Sequence, residues 1–264
     1  MNIIEKTGSV ILETCQHIVG VLALFFDTLY WLVVGPFKKK MAKREGIFVQ
    51  MVFAGLGSLI IAFFVAFFTG IVIAMQSAYQ LSRFGANIYV APMVAVAIAR
   101  ELGPVLTALV VAGRVGAAIA AELGTMKVTE QIEALETMAL NPVRFLVVPR
   151  FLGLLIMLPC LTVFADITGI FGGFLVGVFN LRLDPSRYIT FSFQFLLWKD
   201  VWTGLVKSVV FGIIIAMIGC YMGLRTKGGA EGVGKSTTLS VVTSFILIIL
   251  FDCIITGIFY FAQK

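Results

Sequence analysis

The stretch Gly46–Ser82, GIFVQMVFAGLGSLIIAFFVAFFTGIVIAMQSAYQLS, decides the class of this protein. It runs for 37 residues without a charged side chain. A helix crosses the hydrocarbon core of a bilayer with about 20 apolar residues. The stretch is therefore long enough for a membrane span, which we predict at 47–76.

The composition of the whole chain agrees with that prediction. Of 264 residues, 60% are hydrophobic and only 13% are charged, whereas soluble domains average about 25% charged residues. This excludes a soluble globular enzyme, because so much apolar surface could not be buried at this length. The length leaves room for five or six spans and for no sizeable soluble catalytic domain. We therefore predict an all-α polytopic membrane protein that forms a single membrane domain over 1–264.

Hydropathy divides the remaining chain into further spans and connections. Four more spans are predicted at 88–121, 151–178, 201–224 and 237–262. Segment 1–40 is apolar but interrupted by charges such as Glu13 and Asp27, which favours an amphipathic helix in the membrane interface; a sixth span is the alternative. The less hydrophobic segment 181–200 is predicted to lie in the periplasm.

The distribution of basic residues predicts the orientation. The cluster Lys38, Lys39, Lys40, Lys43 and Arg44 precedes the first span, and such clusters mark the cytoplasmic side. The N-terminal segment, segment 125–150 and loop 225–235 carry six, three and three Lys and Arg, twelve in all, against five in the alternate segments and the C-terminus. We therefore expect a cytoplasmic N-terminus and a periplasmic C-terminus, which requires an odd number of spans.

Six charged residues lie within the predicted spans: Arg114 and Asp166, and the four residues Arg100, Glu101, Lys207 and Asp252. Arg100 and Glu101 lie near the middle of the second span and are followed by Pro104, which interrupts helical hydrogen bonding. Lys207 and Asp252 fall in the outer half of the membrane. Ionisable groups inside spans tend to be paired and to face a cavity. We predict that these four form a network lining a cavity; the alternative is a structural set that fixes helix register.

The chain carries no recognisable catalytic or metal-binding set. A nucleophile–histidine–acid trio is missing, His17 is the single histidine, and the four cysteines form no C-x-x-C pair. These observations favour transport or scaffolding over catalysis. Stripes of small residues, such as Gly169, Gly173 and Gly177, allow close helix packing either within the chain or across a dimer.

One motif is misleading. Segment 229–236, GAEGVGKS, satisfies the phosphate-loop pattern G-x-x-x-x-G-K-[ST]. That pattern binds nucleotide only between a strand and a helix of an α/β sheet, and here predicted spans lie on both sides. We interpret the segment as a cytoplasmic turn, or as a surface that contacts a cytoplasmic partner.

The segment between the second and third spans has helical periodicity. Its apolar side comprises Val128, Ile132, Leu135 and Ala139, and its acidic side comprises Glu130, Glu133 and Glu136. This pattern predicts a short amphipathic cytoplasmic helix over 126–140, which suits a permease that receives force from a motor protein. A helix lying on the membrane surface is the alternative.

Several of these motifs together resemble the MlaE/YrbE family of permeases over about residues 45–262. The matching motifs are RELGP at 100–104, AGR at 112–114, AELG at 121–124, VTEQI at 128–132, Asn141-Pro142, Pro149-Arg150, and GGAEGVG at 228–234 followed by Thr237-Thr238. Lys235 stands where an arginine is expected in the family.

The resemblance implies a function and a set of partners. Members are membrane subunits of ABC transporters that move phospholipids or other hydrophobic molecules between the inner and outer membranes of bacteria. The resemblance implies a homodimer in the inner membrane, separate ATP-binding cassette ATPase subunits below it, an MCE-domain protein above it and an optional STAS-domain protein. ATP would be used by the ATPase chain, so no cofactor is expected in this one.

The resemblance also implies two sites. Helix 126–140 would be the coupling helix, and its ATPase-coupling residues would be Glu130, Ile132, Glu133, Leu135 and Glu136. The lipid cavity would open outward between protomers and be lined by Ile73, Gln76, Ala78, Tyr79, Leu81 and Phe84, with Arg83 near a headgroup phosphate. Ordinary packing or contact with bulk lipid is the alternative for these side chains.

Two functions of other classes stay open from the residues alone. An ion-coupled secondary transporter or channel could use Arg100, Glu101, Lys207 and Asp252 as a relay. A passive membrane scaffold would need none of them for transport. Dependence on ATP and the presence of bound lipid separate these alternatives from a lipid permease.

Overall fold

The computed structural model describes residues 3–37 and 44–262, and within these ranges the chain is helical with no strand. The lysines of the basic cluster, 38–40 and 43, lie outside the described residues. The helices are α1 (Ile3–Phe37), α2 (Arg44–Ser82), α3 (Val90–Ala97), α4 (Gly103–Val111), α5 (Ala117–Val128), α6 (Gln131–Thr137), α7 (Val148–Leu175), α8 (Pro185–Phe195), α9 (Trp198–Leu224) and α10 (Gly229–Ala262).

Four π-helical segments modify the longer elements. Ile98–Leu102 and Ala112–Gly116 join α3, α4 and α5 into one run that begins with a short 3-10 turn at Asn87–Tyr89. The other two, Val143–Val147 and Val176–Asn180, extend α7 at both ends. We call the end of the bundle that carries α6 the α6 end, and the opposite end, which carries α8, the α8 end.

Six helices in the described residues are long and apolar enough to cross a membrane, one more than the five predicted. Five of them overlap the predicted spans and begin before them: Glu45–Ser82, Asn87–Val128, Val143–Asn180, Trp198–Leu224 and Gly229–Phe261. The sixth is Cys15–Gly35, near the N-terminus. The polytopic all-α class is confirmed, and the additional candidate lies where the sequence predicted an interfacial helix.

Three contacts tie α1 to the α6 end of the bundle. His17 Nδ1 lies 3.1 Å from Tyr221 Oη, and the ring centroids of Phe25 and Phe151 are 6.2 Å apart. The Arg144 guanidinium lies 5.7 Å from the centre of the Trp31 ring. His17 and Trp31 are about 21 Å apart along a helix, and their partners Tyr221 and Arg144 both lie near the α6 ends of the helices that carry them.

Glycines allow α2 and α7 to approach backbone to backbone. A Cβ on Gly70 would lie 1.9 Å from the Gly169 carbonyl oxygen, and one on Gly172 would lie 2.3 Å from that of Phe67. The next glycines of α7 face other parts of the same chain: Gly173 lies against Val94, and Gly177 lies against the Tyr188 ring. The small-residue stripe of α7 therefore serves packing within the chain, the first of the two alternatives.

The phosphate-loop-like segment is helical. Gly228 and Gly229 adopt positive φ angles of 90° and 69°, and α10 begins at Gly229 and continues through Ser236. The predicted loop 225–235 is therefore shorter than expected, because only its first residues form the turn. A phosphate cradle needs free backbone N–H groups in a loop after a strand, and this segment offers a helix after a membrane helix.

Candidate functional site

The helix break in the second predicted span lies at Arg100 and Glu101. Within this π-helical segment the Gly103 N–H donates to the carbonyl of Ile98, and Pro104 has no N–H to donate. Gly204 of α9 packs directly on the Ala99 carbonyl, since a Cβ there would lie 2.2 Å from that oxygen. The break thus brings α9 against the backbone beside the two charged residues.

Three of the four predicted network residues meet in one cluster. The Lys207 ammonium forms ion pairs with the Glu101 carboxylate and with Asp252 Oδ1, the second at 2.8 Å. It also donates to Thr256 Oγ1 at 2.7 Å, and the Thr256 hydroxyl donates to Glu101 Oε1 at 3.1 Å. We call these four residues the Lys207 cluster; it joins the second span, α9 and α10.

In the Lys207 cluster the basic side chain is fully buried, whereas the two acidic side chains are partly exposed. The Lys207 side chain is 0% exposed, whereas those of Glu101 and Asp252 are 34% and 22% exposed. Burying an ammonium group costs several kcal/mol unless its charge and its N–H groups are matched, and here three acceptors surround it. With both carboxylates ionised the cluster has one excess negative charge and presents it toward the partly exposed side.

Arg100 does not join the Lys207 cluster. Its guanidinium lies 3.6 Å from Asp200 Oδ1 at the α8 end, and Asp200 Oδ2 accepts the backbone N–H of Leu197 at 3.2 Å. Because Arg100 and Glu101 are adjacent in a helix, their side chains point about 100° apart and reach different partners. Asp200 was missed, although an acid directly before a predicted span is a recognisable helix-start signal.

Thr256 was also missed. The sequence carries no signal for it beyond its position four residues after Asp252 on the same helix face. A hydroxyl within an apolar span usually bonds its own backbone, and this one instead links two members of an ionic cluster. Helix periodicity applied to the charged residues could have identified it.

The predicted lipid-lining residues divide into two groups. Ala78 is buried with Val90 and Val94, and Ile73 and Leu81 pack against that core. Tyr79 and Phe84 are exposed, as is Gln76. Arg83 donates to the Tyr79 hydroxyl at 2.5 Å and lies over its ring, 4.7 Å from the centroid. The exposed group forms a mixed aromatic and basic surface at the α8 end.

The predicted helix over 126–140 is two helices. Its first residues continue α5 to Val128, a left-handed Glu130 with φ 59° turns the chain, and α6 covers only Gln131–Thr137. Ala139, also with positive φ, follows α6 closely. The helical periodicity corresponds to two helices, and it did not reveal the turn at Thr129–Glu130 that separates them.

The five predicted coupling residues face different directions. Ile132 is buried and Leu135 packs against the core, so both anchor α6 to this chain. Glu130 and Glu136 are exposed. Lys127 donates to the Glu133 carboxylate, and this hydrogen bond lowers the pKa of Glu133. Only the exposed glutamates are free to meet a partner protein through their side chains.

Comparison with known proteins identifies the family. The model of the family described as Permease MlaE matches residues 47–258. The chain belongs to the MlaE permease family. It is 48% identical to a probable ABC transporter permease protein of Rickettsia conorii, over 98% of both chains. It is 36% identical to the intermembrane phospholipid transport system permease protein MlaE of Haemophilus influenzae, over 88% of this chain and 89% of that one. A probable ABC transporter permease protein of Synechocystis is 41% identical over 78% and 79% of the two chains.

In this MlaE-family permease a second ion pair lies beside α6. Arg150, in the first turn of α7, lies 2.8 Å from Glu122 Oε2 of α5 and donates to the Leu146 carbonyl at 2.7 Å. The pair ties together the two helices that flank α6.

Arg114 links the second span of the permease to α2. It donates to the Phe53 carbonyl at 3.1 Å and to Ser58 Oγ at 3.0 Å, and it lies against Gly57, where a Cβ would come within 2.2 Å of its guanidinium. Gly57 thus leaves the space that this arginine occupies. The contact is a structural bond between two helices, and it accounts for an intramembrane charge outside the Lys207 cluster.

Proposed function

We propose that this chain is the membrane permease subunit of an ABC transporter that moves phospholipid between the inner and outer bacterial membranes. Membership of the MlaE family and the name of the Haemophilus influenzae relative, an intermembrane phospholipid transport system permease, support the substrate class. The single structural observation that carries the proposal is the Lys207 cluster. It joins three helices through a fully buried cation at a break in the second span, where a change in helix packing would alter a cavity.

The Lys207 cluster would act as a gate: it would hold the three helices together when the gate is closed and let them separate during transport. Its acidic residues come from the second span and from α10, and its cation comes from α9. Electrostatic attraction across such a junction is strong when the site is dry and weakens when water enters. Separation of the helices during transport would hydrate the cluster, and closure would dehydrate it again.

A charge exchange tests the gate. Lys207→Asp and Asp252→Lys are each expected to abolish ATP-dependent transport of labelled phospholipid in vesicles that contain the complete transporter, because each leaves like charges together. The double variant restores opposite charges and is expected to recover part of the activity. Full transport by either single variant would overturn the role of the cluster. Transport driven by an ion gradient without the ATPase would instead support the ion-coupled alternative.

ATP hydrolysis is assigned to a partner ATPase that contacts α6. The exposed Glu130 and Glu136 would meet basic groups of the ATPase, while Ile132 and Leu135 fix the helix to this chain. The Arg150–Glu122 pair would pass the resulting movement to α5 and α7. Charge reversal at Glu136 is expected to reduce lipid-stimulated ATPase activity of the complex more than Glu133→Gln, because the Glu133 carboxylate is already engaged by Lys127.

The transporter is proposed to contain two copies of this chain, an MCE-domain protein on the periplasmic side and an optional STAS-domain protein bound to the ATPases. Much of the apolar surface of α2 and α10 is left uncovered by this chain; examples are Ile60, Phe64, Ile246 and Ile249. A homodimer would cover part of that surface, with lipid covering the rest. Cross-linking of single cysteines placed on α10 in the membrane tests the dimer.

The lipid cavity is proposed to include the exposed residues at the α8 end of α2. Tyr79 and Phe84 offer aromatic faces to acyl chains, Gln76 offers an amide, and Arg83, held by Tyr79, offers a cation to a headgroup phosphate. The buried Ala78 would act only through packing. Arg83→Gln is expected to reduce the lipid that co-purifies with the complex, as measured by mass spectrometry.

The N-terminus is proposed to be cytoplasmic and the C-terminus periplasmic, with α1 lying in the cytoplasmic interface. The contacts of His17, Phe25 and Trp31 at the α6 end of the bundle support this placement. If α1 instead spans the membrane, cysteines placed at either end of the described part of α1 would react with impermeant reagents from opposite sides. Reaction from the same side supports the interfacial placement.

A further inference from the structure

A groove between α7 and α8 lies at the α8 end, and one of the rings that line it, Phe171, is 6.3 Å from the Phe67 ring of α2. Its volume is about 330 Å³, and it is lined by Ile167, Ile170, Phe171, Phe174, Tyr188, Ile189, Ser192 and Phe193. Six of these eight side chains are purely hydrocarbon. We propose that the groove binds one acyl chain of a membrane lipid.

The polar groups of the lining residues are turned away from an occupant. Ser192 Oγ donates to the backbone carbonyl of Tyr188 at 2.9 Å. Tyr188 is buried, with its hydroxyl beside Gly173 and its ring on Gly177. The groove therefore offers only nonpolar contact, and a sugar, a nucleotide or a free headgroup would lose its hydrogen bonds there.

The dimensions of the groove suit an acyl chain. Ile167 to Phe174 spans about 10 Å along α7, and the groove has a volume of about 330 Å³. A hydrocarbon chain whose carbons contact their neighbours at about 3.5–4 Å needs a cross-section of about 20 Å². A length of about 10 Å of one acyl chain therefore needs about 200 Å³ and fits in the groove.

The position of the groove gives the lipid access from the side. Its walls on α7 belong to the long apolar helix Val143–Asn180, within reach of the bilayer core. Ile167 and Phe171 on α7 and Phe193 on α8 are exposed on its outer side. Phe171, Phe174 and Tyr188 form a chain of ring contacts along the inner wall, with centroids 6.4 Å and 5.5 Å apart. A chain can enter laterally and lie against a wall that is already packed.

The glycines of α7 create the site. A Cβ on Gly177 would lie 2.3 Å from Tyr188 Cε2 and one on Gly173 would lie 2.6 Å from Val94. Without these glycines the Tyr188 ring would have to move outward, toward the space that the chain occupies. The groove is thus a consequence of the same small-residue stripe that packs the bundle.

Photolabelling of the full-length chain in nanodiscs tests the proposal. The probe is phosphatidylcholine with a diazirine on one acyl chain, diluted in unlabelled phosphatidylcholine. Labelling is expected to concentrate on peptides that contain 167–174 and 188–193, above the level at Ile156 and Val163, which are exposed on α7 outside the groove. Uniform labelling along α7 would mean ordinary boundary lipid and would overturn the proposal.

Matched variants separate filling of the groove from misfolding. Ile170→Trp fills it, and displacing about two methylenes should lower groove labelling about tenfold; Ile156→Trp is the control and should not. Phe193→Ala removes an exposed wall without touching the core, and should lower labelling less. Unchanged labelling in both groove variants would contradict the proposal. Loss of groove labelling in the complete transporter would also contradict it, because a partner protein would then occupy the groove. The measurement uses no ATP, so its failure leaves the proposed transport function standing.

Discussion

Two ion-pair sites of the permease, the Lys207 cluster and the Arg150–Glu122 pair, differ in how exposed their charges are. In the Lys207 cluster the cation is 0% exposed and is shared by two carboxylates and a hydroxyl from other helices. In the Arg150–Glu122 pair the cation is 5% exposed, but its single carboxylate is 55% exposed. The first site joins three helices, and the second joins two. We therefore expect the first to respond to helix movement and the second to act as a fixed bond.

Lys207→Met is expected to have the largest effect. It leaves Glu101 and Asp252 facing each other without their cation, and breaking a buried ion pair by removing one partner destabilises proteins by about 3–5 kcal/mol. The thermal midpoint of the detergent-solubilised protein should fall strongly, and lipid transport should be lost.

Lys207→Met combined with Asp252→Asn is the matched control, since it removes one of the two carboxylates as well. It should recover part of the lost stability. If Lys207→Met alone were as stable as the parent, water would already enter the cluster. The proposed difference in water access between the Lys207 cluster and the Arg150–Glu122 pair would then be wrong.

Neutralising one carboxylate at a time should have a smaller effect. Asp252→Asn leaves Lys207 paired with Glu101, and Glu101→Gln leaves it paired with Asp252, so neither variant strands the cation. We expect a loss of about 1–3 kcal/mol for each, the range for an impaired hydrogen bond to a charged group. Glu101→Gln should be the more damaging, because Glu101 also accepts the Thr256 hydroxyl. Equal thermal midpoints for the two variants would contradict this order.

The sequence predicted three of the four residues of the Lys207 cluster, but it also added Arg100 and missed Thr256. An ionisable residue inside a span is costly and tends to be paired, so Glu101, Lys207 and Asp252 could be grouped because they lie within spans, although their predicted depths differ. Depth does not include direction around the helix axis, and the π-helical segment at 98–102 shifts that direction further. Arg100 was therefore assigned to the wrong partner group, and its actual partner Asp200 was missed.

Other differences between the sequence-based predictions and the structure also arise because the sequence pattern does not give local geometry. Hydrophobic periodicity identified the amphipathic stretch after the second span, but not the single left-handed residue, Glu130, that divides it. Hydropathy predicted five spans that coincide with long apolar helices, but Cys15–Gly35 of α1, which the sequence assigned to the membrane interface, is also long and apolar enough to cross a membrane. The groove beneath α8 had no sequence signal, because it depends on which helix faces Gly177.

Glu122→Gln tests whether the Arg150–Glu122 pair contributes as little to stability as its exposed carboxylate predicts. It leaves the buried Arg150 with its bond to the Leu146 carbonyl but without a carboxylate. Because the Glu122 side chain is largely exposed, we expect a loss of only about 1 kcal/mol, near the upper limit for exposed pairs. Thermal denaturation at low and high salt checks the effect, which should shrink as salt screens the pair in the parent protein. A loss as large as that of Lys207→Met would remove the distinction between the two sites.

Thr256→Val should have the smallest effect and gives the sharpest view of the Lys207 cluster. Valine keeps the shape of threonine and removes one hydroxyl that accepts from Lys207 and donates to Glu101. Both charged neighbours keep an ionic partner, so the expected loss is about 0.5–1.5 kcal/mol, the net contribution of a hydrogen bond. Thr256→Ser retains the hydroxyl and is the control. If the hydroxyl holds Lys207 and the Glu101 carboxylate in register, the valine variant should slow lipid transport more than its small change in thermal midpoint implies, and the serine variant should not. Equal transport rates in the two variants would mean that the ion pairs alone set the geometry of the cluster.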